Sequence, residues 1–494
     1  MIFNLSKQEF IDDLKNCGKS ILYKKISCDL ITPVLATLKL STKFSDNYFL
    51  LESAENGNNK GRYSVLGFMP DLAWKVVGKH SFINRNFSKN SKDFIEEKGD
   101  VLENLRALIN ESQIANYAKY NLPAIGAGIF GYMGYDMVQF MEKIDLSHLK
   151  DELKIPESIF IRPQIIIVFD SLFDEAIICA PAYGEAVFED LEKKILTIEE
   201  ILNQPFIEQK TNENYQFDFQ SNCSKIQYHE MVDKSREYIV AGDIFQVLPS
   251  QRFSATFPDK IPAINFYRAL RSINPSPFLF FLKFEDFVLS GSSPEIMVSL
   301  QNKKVTIRPL AGTRKRGKNA NEDYEIAKDL LGDEKEVAEH LMLIDLGRHD
   351  VGSVCKAGSV VVTKKMAIEN YSHVMHISSN VEGEIDDKYD ALNALVAGFP
   401  AGTVSGAPKI RAMEIIAKIE KDKRSFYAGC VGYFSANGEM ETCITLRSAL
   451  IKDQKIHLQT GAGVVFDSKA ENEYEECFNK ARALMRACDK IKNI

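Results

Sequence analysis

Apolar residues recur along this chain with two periods, and their alternation outlines the fold. Residues 48–53, 63–68 and 72–77 are short runs rich in aromatic and β-branched side chains, which predicts strands. Val101, Leu102, Leu105, Leu108 and Ile109 return at helical spacing, as do Val187, Phe188, Leu191, Ile195, Ile198 and Leu202. Between these helices, residues 164–169 and 175–180 flank a turn and predict a hairpin. The pattern stops from 203 to 224, where Asn, Gln, Glu and Ser dominate around Pro205. That stretch reads as a linker between an N-terminal domain, 1–202, and a second domain, 225–490.

Beyond it, helices are predicted over 226–240, 264–272, 323–347, 407–419 and 469–492. Strands are predicted over 244–253, 278–284 and 287–291, with hairpins from 296–300 to 304–309 and from 429–435 to 439–450. The last hairpin turns at Asn437-Gly438, a strong signal for a two-residue turn. Long hairpins with interspersed helices predict an α+β chain with antiparallel or mixed sheets, not a doubly wound parallel one. No repeat of 20–50 residues is evident.

Composition narrows the function. The 494 residues are 45% hydrophobic and 26% charged, an ordinary globular balance. The formal net charge of −7, with no basic stripe, argues against a nucleic-acid partner. Nine scattered cysteines without a CxxC pair read as reduced thiols of a cytoplasmic protein. The first residues lack a basic, then apolar, signal segment. The most aliphatic run, 165–169, is strand-length and excludes no more than a membrane-spanning helix there.

Two phosphate-binding patterns fail on context. Gly126, Gly128 and Gly131 satisfy G-x-G-x-x-G, but Tyr132-Met133-Gly134-Tyr135 follows, which suits a strand and not a helix start. Residues 312–319 nearly spell a P-loop, yet Asn319 stands where a Ser or Thr must reach a metal. No G-x-C-x-G nucleophile elbow occurs, so a cysteine glutaminase is not encoded here. What remains is acidic. Glu336 and Glu339 share a helix face, and Glu473 and Glu476 repeat the spacing on the last helix, with Lys480 one turn on. Taken alone such pairs are usually solvated faces, but facing helices of this kind also suit Mg²⁺, which takes one or two carboxylates. Gly461-Ala462-Gly463, Arg447 and the Gly/Pro-rich loop before Lys409 are anion-friendly, so together these groups suggest a small polyanionic substrate.

Over nearly its whole length the chain resembles the chorismate-using enzymes, and within them the large-subunit (component I) branch that makes anthranilate. The resemblance rests on 242–252, 291–295, 308–314, 338–345, 374–376, 400–409 and 461–463. It implies a large α/β structure with sheets packed together at the centre and helices outside. It also implies a Mg²⁺ cofactor on Glu339 and Glu476, with Glu336 and Glu473 close behind. Glu295, His376 and Thr403 are carried over as the catalytic group. Glu295 is the acid that protonates the departing hydroxyl, His376 assists the later proton loss, and Thr403 is a ring contact. Gly312, Thr313, Tyr427, Arg447, Gly461, Ala462, Gly463 and Lys480 are carried over as substrate contacts.

Two positions choose among the sister chemistries. Members that add water resemble one another in a Lys where this chain has Gln246, and glutamine cannot act as the base that activates water. Aminodeoxychorismate synthases, the alternative within the family, typically carry a nucleophilic Lys where this chain has Ala311. The resemblance therefore implies direct amination of chorismate by ammonia from a separate glutamine amidotransferase subunit. Ser53, Pro277, Phe278 and Leu279 match segments that form an inhibitor site for L-tryptophan in the family. A tryptophan-binding protein without activity is a further alternative, but the acids, Glu295 and His376 are all retained.

Overall fold

Two long neighbouring strands, Tyr63–Val77 and Ser158–Asp170, organise the molecule. The computed structural model describes residues 3–53, 61–207, 215–371 and 374–491. The long pair carries different neighbours at its two ends. Its Tyr63 end continues through Tyr48–Glu52, Phe278–Lys283, Phe287–Ser293, Ser448–Lys452, Lys455–Gly461 and Ser250–Thr256. Its Val77 end continues through Gly128–Met133, Cys430–Ser435, Met440–Ile444, Ile296–Gln301, Lys304–Ile307 and Val374–Glu384. Every strand-to-strand pairing just named is antiparallel.

The two runs face each other across one apolar core. Phe49, Val65, Phe280 and Leu450 from the first meet Phe130, Met297, Phe434 and Met440 from the second. Phe49 stacks on Phe130 with ring centroids 4.4 Å apart. A second core lies under helices on the outer face of the first run, joining Leu66, Ile165 and Ile178 to Ile195, Tyr267 and Leu484. The fold is thus α+β, with packed antiparallel sheets inside and helices outside, as expected. Among the described residues, no helix is long and apolar enough to cross a membrane.

Departures from expectation have local causes. The predicted strands 63–68 and 72–77 are one strand with a register shift between Pro70 and Leu72, next to Met69 at φ 56°. A hydrophobic pattern cannot distinguish such a bulge from a break. The predicted strand 244–253 is interrupted at Pro249, which has no N–H to give to a ladder. The predicted 439–450 strand splits at Arg447, which takes φ 49° and turns the chain between Met440–Ile444 and Ser448–Lys452. The predicted helix 323–347 is two helices, because Asp333 caps the second one through Lys335 N and Glu336 N. Short-range patterning missed the helices Lys7–Cys17 and Pro33–Ser41 and the strands Lys19–Ser27 and Val374–Glu384.

Part of the expected linker, 208–214, lies outside the described residues. The compositional boundary is crossed by main-chain pairing, Tyr48–Glu52 with Phe278–Lys283 and Gly128–Met133 with Cys430–Ser435. The rejected nucleotide motifs are structural. Gly131 sits opposite Gly432, and a Cβ there would lie 1.9 Å from Ile159 O. Gly317 N donates to Asp323 Oδ1 at 2.7 Å, so its own helix supplies the anion.

Candidate active site

Helix Glu334–Gly352 presents Glu336 and Glu339 from its first turns, and helix Ala470–Lys490 presents Glu473, Glu476 and Lys480. The tertiary fold brings these two faces into electrostatic reach. Burial raises the Glu339 carboxyl above its ordinary pKa; the Gln246 hydrogen bond opposes this, and the Glu336 and Glu476 charges add to it. Burial likewise raises Glu473, with Glu476 adding to the effect. Each acid has one polar tether. Gln246 Nε2 donates to Glu339 Oε1 at 2.8 Å, Arg314 Nη1 to Glu336 Oε1 at 3.1 Å, and Lys480 Nζ to Glu476 Oε1 at 2.8 Å. Lys480 Nζ also donates to Gly461 O at 3.0 Å. Among the described residues, no three acid, histidine or cysteine side chains close on a point by themselves. The set is oxygen-only and mutually repulsive, so it fits a hard cation that takes two carboxylates and completes its shell from water or substrate.

Glu295 joins strands Phe287–Ser293 and Ile296–Gln301 and is 6% exposed. Thr403 Oγ1 donates to its Oε1 at 2.9 Å, and Leu310 N donates to the same oxygen at 3.4 Å. Oε2 is thereby left to carry a proton. Burial pushes the Glu295 pKa up to about 8, against the opposing pull of Thr403, Leu310, Arg308 and Arg447.

His376 lies directly opposite Thr313 in the sheet. Its Nδ1 is 2.9 Å from Gly312 O, which only accepts, so Nδ1 holds the ring hydrogen. Nε2 is buried without a partner. Burial, reinforced by Arg447, lowers the imidazole pKa to about 4, so the ring is neutral at pH 7 with a free lone pair. Gly312 takes φ 63° at a register shift in its strand, and a Cβ there would sit 3.1 Å from Glu336 Oε2. The Arg447 guanidinium has no hydrogen bond or ion pair among the described residues, and burial lowers its pKa. An unpaired, desolvated cation of this kind awaits an anion. Tyr427 is buried, with its Oη 3.3 Å from where a Cβ on Gly461 would stand. Ala462 N does not face the site; it donates to Pro249 O at 3.3 Å. The same test places Gly463 against Gln246, whose Nε2 would lie 2.8 Å from a Cβ.

One organising element escaped sequence reasoning. Arg424, 1% exposed, donates to both carboxylate oxygens of Glu420, to Val404 O at 2.8 Å and to Leu248 O at 2.5 Å. It thereby ties the Thr403 turn to the segment after Gln246. Glu420 and Arg424 sit four apart and, in sequence, are indistinguishable from a surface ion pair. In the regulatory region, Leu279 pairs with Glu52, which sets Ser53 beside Phe278 and Pro277 at a strand end. Arg271 and Tyr267 hold the buried Glu52 carboxylate there.

A buried acid, a neutral imidazole, an unpaired arginine and two facing acidic helices on an antiparallel α+β scaffold define a lyase-type site for a small polyanion. The chain belongs to the chorismate-binding enzymes, whose family pattern matches residues 48–486. It is 48% identical to anthranilate synthase component 1 of Cereibacter sphaeroides, over 95% of this chain and 94% of that one. It is 40% identical to the Aquifex aeolicus protein of the same name, over 99% of this chain and 98% of that one. The solved structure of anthranilate synthase component I from Streptococcus pneumoniae superposes with a TM-score of 0.76 at 35% identity, covering 93% of this chain and 98% of that one. The menaquinone-specific isochorismate synthase of Escherichia coli shares the fold, with a TM-score of 0.69 at 17% identity, covering 97% of this chain and 99% of that one.

Arg424→Met leaves Glu420 buried and unpaired. Chemical denaturation is expected to register a loss of about 3–5 kcal/mol. The Glu420→Gln/Arg424→Met double variant should recover part of it; equal losses in both would refute the pairing.

Proposed function

We propose that this chain is the chorismate-aminating subunit of an anthranilate synthase, a lyase that forms anthranilate and pyruvate. The observation that carries this reading is a buried Glu295 carboxyl, protonated at neutral pH, in a site with Gln246 and Ala311 and no lysine at either position. Ammonia brings its own lone pair and needs no activating base, unlike water.

The chain's groups divide the work as follows. Arg447 grips a carboxylate of chorismate bidentately, with Tyr427, Gly461 and Gly463 shaping the cradle and Lys480 nearby. Gly312, Thr313 and Thr403 bound the ring. Ammonia adds at C2 as the C4 hydroxyl departs, and Glu295 passes its proton to that oxygen, releasing water. The nitrogen then sheds its extra proton, leaving an amine. In the second half His376 Nε2 receives the C2 proton, directly or by orienting the ring. The C2–H electron pair completes the aromatic ring, the C3–O bond breaks, and the departing enolpyruvyl methylene takes up a proton to become pyruvate. Glu339 and Glu476, supported by Glu336 and Glu473, would hold Mg²⁺. The ion, when bound, supplies Lewis-acid stabilisation of charge on the ring carboxylate.

The nitrogen comes from a separate glutamine amidotransferase subunit, because no glutaminase motif is encoded in this chain. Ser53, Pro277, Phe278 and Leu279 form the site for inhibitory L-tryptophan, in the part of the chain around 1–202 that serves regulation. The protein works in the cytoplasm.

Purified protein with chorismate, Mg²⁺ and ammonium should release fluorescent anthranilate; 4-amino-4-deoxychorismate as the product would sink the assignment. With the rate referred to free ammonia, activity should be full below pH 7 and fall as pH rises through the Glu295 pKa of about 8, since the protonated acid is the active form. Glu295→Gln should keep the Thr403 contact, lower turnover by roughly 10²–10⁴-fold and lose that alkaline limb.

Glu476→Ala should leave thermal stability intact and raise the Mg²⁺ concentration for half-activity at least roughly tenfold. An unchanged Mg²⁺ titration removes the metal role. L-Tryptophan should inhibit the wild type, and Ser53→Phe should relieve it; identical inhibition curves would discard the regulatory site.

A further inference from the structure

Behind the carboxylate-lined cleft lies a cavity that the chemistry above does not use. It has a volume of about 90 Å³ and opens between helix Lys225–Val240 and residues 419–422. Cys223, Glu230, Lys234, Ser250, Glu420 and Gln459 are among its lining residues, and none of Glu336, Glu339, Glu473 and Glu476 is. It is small against the roughly 300–1,000 Å³ of pockets that take drug-sized ligands. A ring diacid is therefore excluded, while a few molecules the size of water or ammonia fit.

The inner wall is built from buried polar groups. Ser250, Glu420 and Gln459 are 5%, 8% and 4% exposed. Ser250 Oγ donates to Glu420 Oε1 at 2.9 Å, Gln459 Nε2 to Ser250 Oγ at 2.9 Å, and Arg252 Nε to Gln459 Oε1 at 3.1 Å. This wall is also the back of the candidate chorismate cradle. Ser250 is the register partner of Gly461, and Gln459 lies two residues before it on the same strand face. A Cβ on Gly461 would meet Ser250 Cβ and Tyr427 Oη, each at 3.3 Å. Arg424, bonded to Glu420, places its guanidinium 5.7 Å from the Tyr427 ring centre. One layer of hydrogen-bonded side chains thus separates the cavity from the cradle.

We propose that this cavity is a second entrance to the active site, through which ammonia reaches bound chorismate. The inference rests on the functional reading above. Ammonia has three N–H donors and one lone pair, and the Ser250 hydroxyl, Gln459 amide and Glu420 carboxylate of the wall supply the complementary hydrogen-bonding groups. Entry here leaves the metal-facing cleft to the diacid and spares the nucleophile a path past it.

The test fills the outer part of the cavity, away from the hydrogen-bonded wall, with Cys223→Trp and, independently, Lys234→Trp. Ile226→Trp, at a side chain 72% exposed on the same helix, is the control. Steady-state anthranilate formation is measured with ammonium varied at saturating chorismate, and then with chorismate varied at saturating ammonium. Both filling variants should lower kcat/KM for ammonia roughly tenfold or more while kcat/KM for chorismate stays within about twofold of wild type. The control should match wild type in both. Unchanged ammonia constants in both variants, or equal losses in the two constants, would overturn the proposal. A wild type that forms no anthranilate from ammonium refutes the functional reading itself, before any variant is compared.

Discussion

A single buried ion pair, Arg424 with Glu420, is the constraint on which the rest of the site depends. Desolvating two charges is costly, and the cost is met only if every lone pair and every N–H finds a partner. Here the guanidinium reaches Glu420, Val404 O and Leu248 O, while Glu420 also accepts from Ser250 N and Ser250 Oγ. Three stretches distant in sequence are thus locked in one geometry. One carries Thr403 against Glu295, one carries Gln246 against Glu339, and one carries Tyr427 against Gly461.

Around that rigid hub the site keeps groups in states that water would not allow. Glu295 holds a proton because burial disfavours its anion, and His376 stays neutral because burial disfavours its cation. Arg447 is kept unpaired beside both, and the four helix carboxylates repel one another across the cleft. An arginine without an anion and carboxylates without a cation are both high in energy when empty, and a diacid with its metal relieves both.

The same walls that exclude water also separate functions in space. The diacid and the metal-facing acids occupy one side of strand Lys455–Gly461, and the small polar cavity occupies the other. The Ser53 and Phe278 strand end is linked to the rest through the sheet, because Phe278–Lys283 pairs with Phe287–Ser293, whose chain runs directly into Glu295.

Much of this was legible in the residues. Period-two and helical runs located most strands and helices, since side-chain burial repeats at those spacings whatever the partner. The Asn437-Gly438 turn was visible, as were the acidic pairs, Glu295 and His376, through local motifs. The bulge at Met69, the breaks at Arg447 and Asp333 and the pairing across 203–224 were not, because they arise from distant strands competing for the same backbone groups. Glu420 and Arg424 read as a solvated pair until packing buried them. The sequence by itself determined which chemical groups are present and which elements carry them. Only the tertiary structure decided which were buried, and burial is what turns a carboxylate into an acid, an imidazole into a base and a surface ion pair into a structural pin.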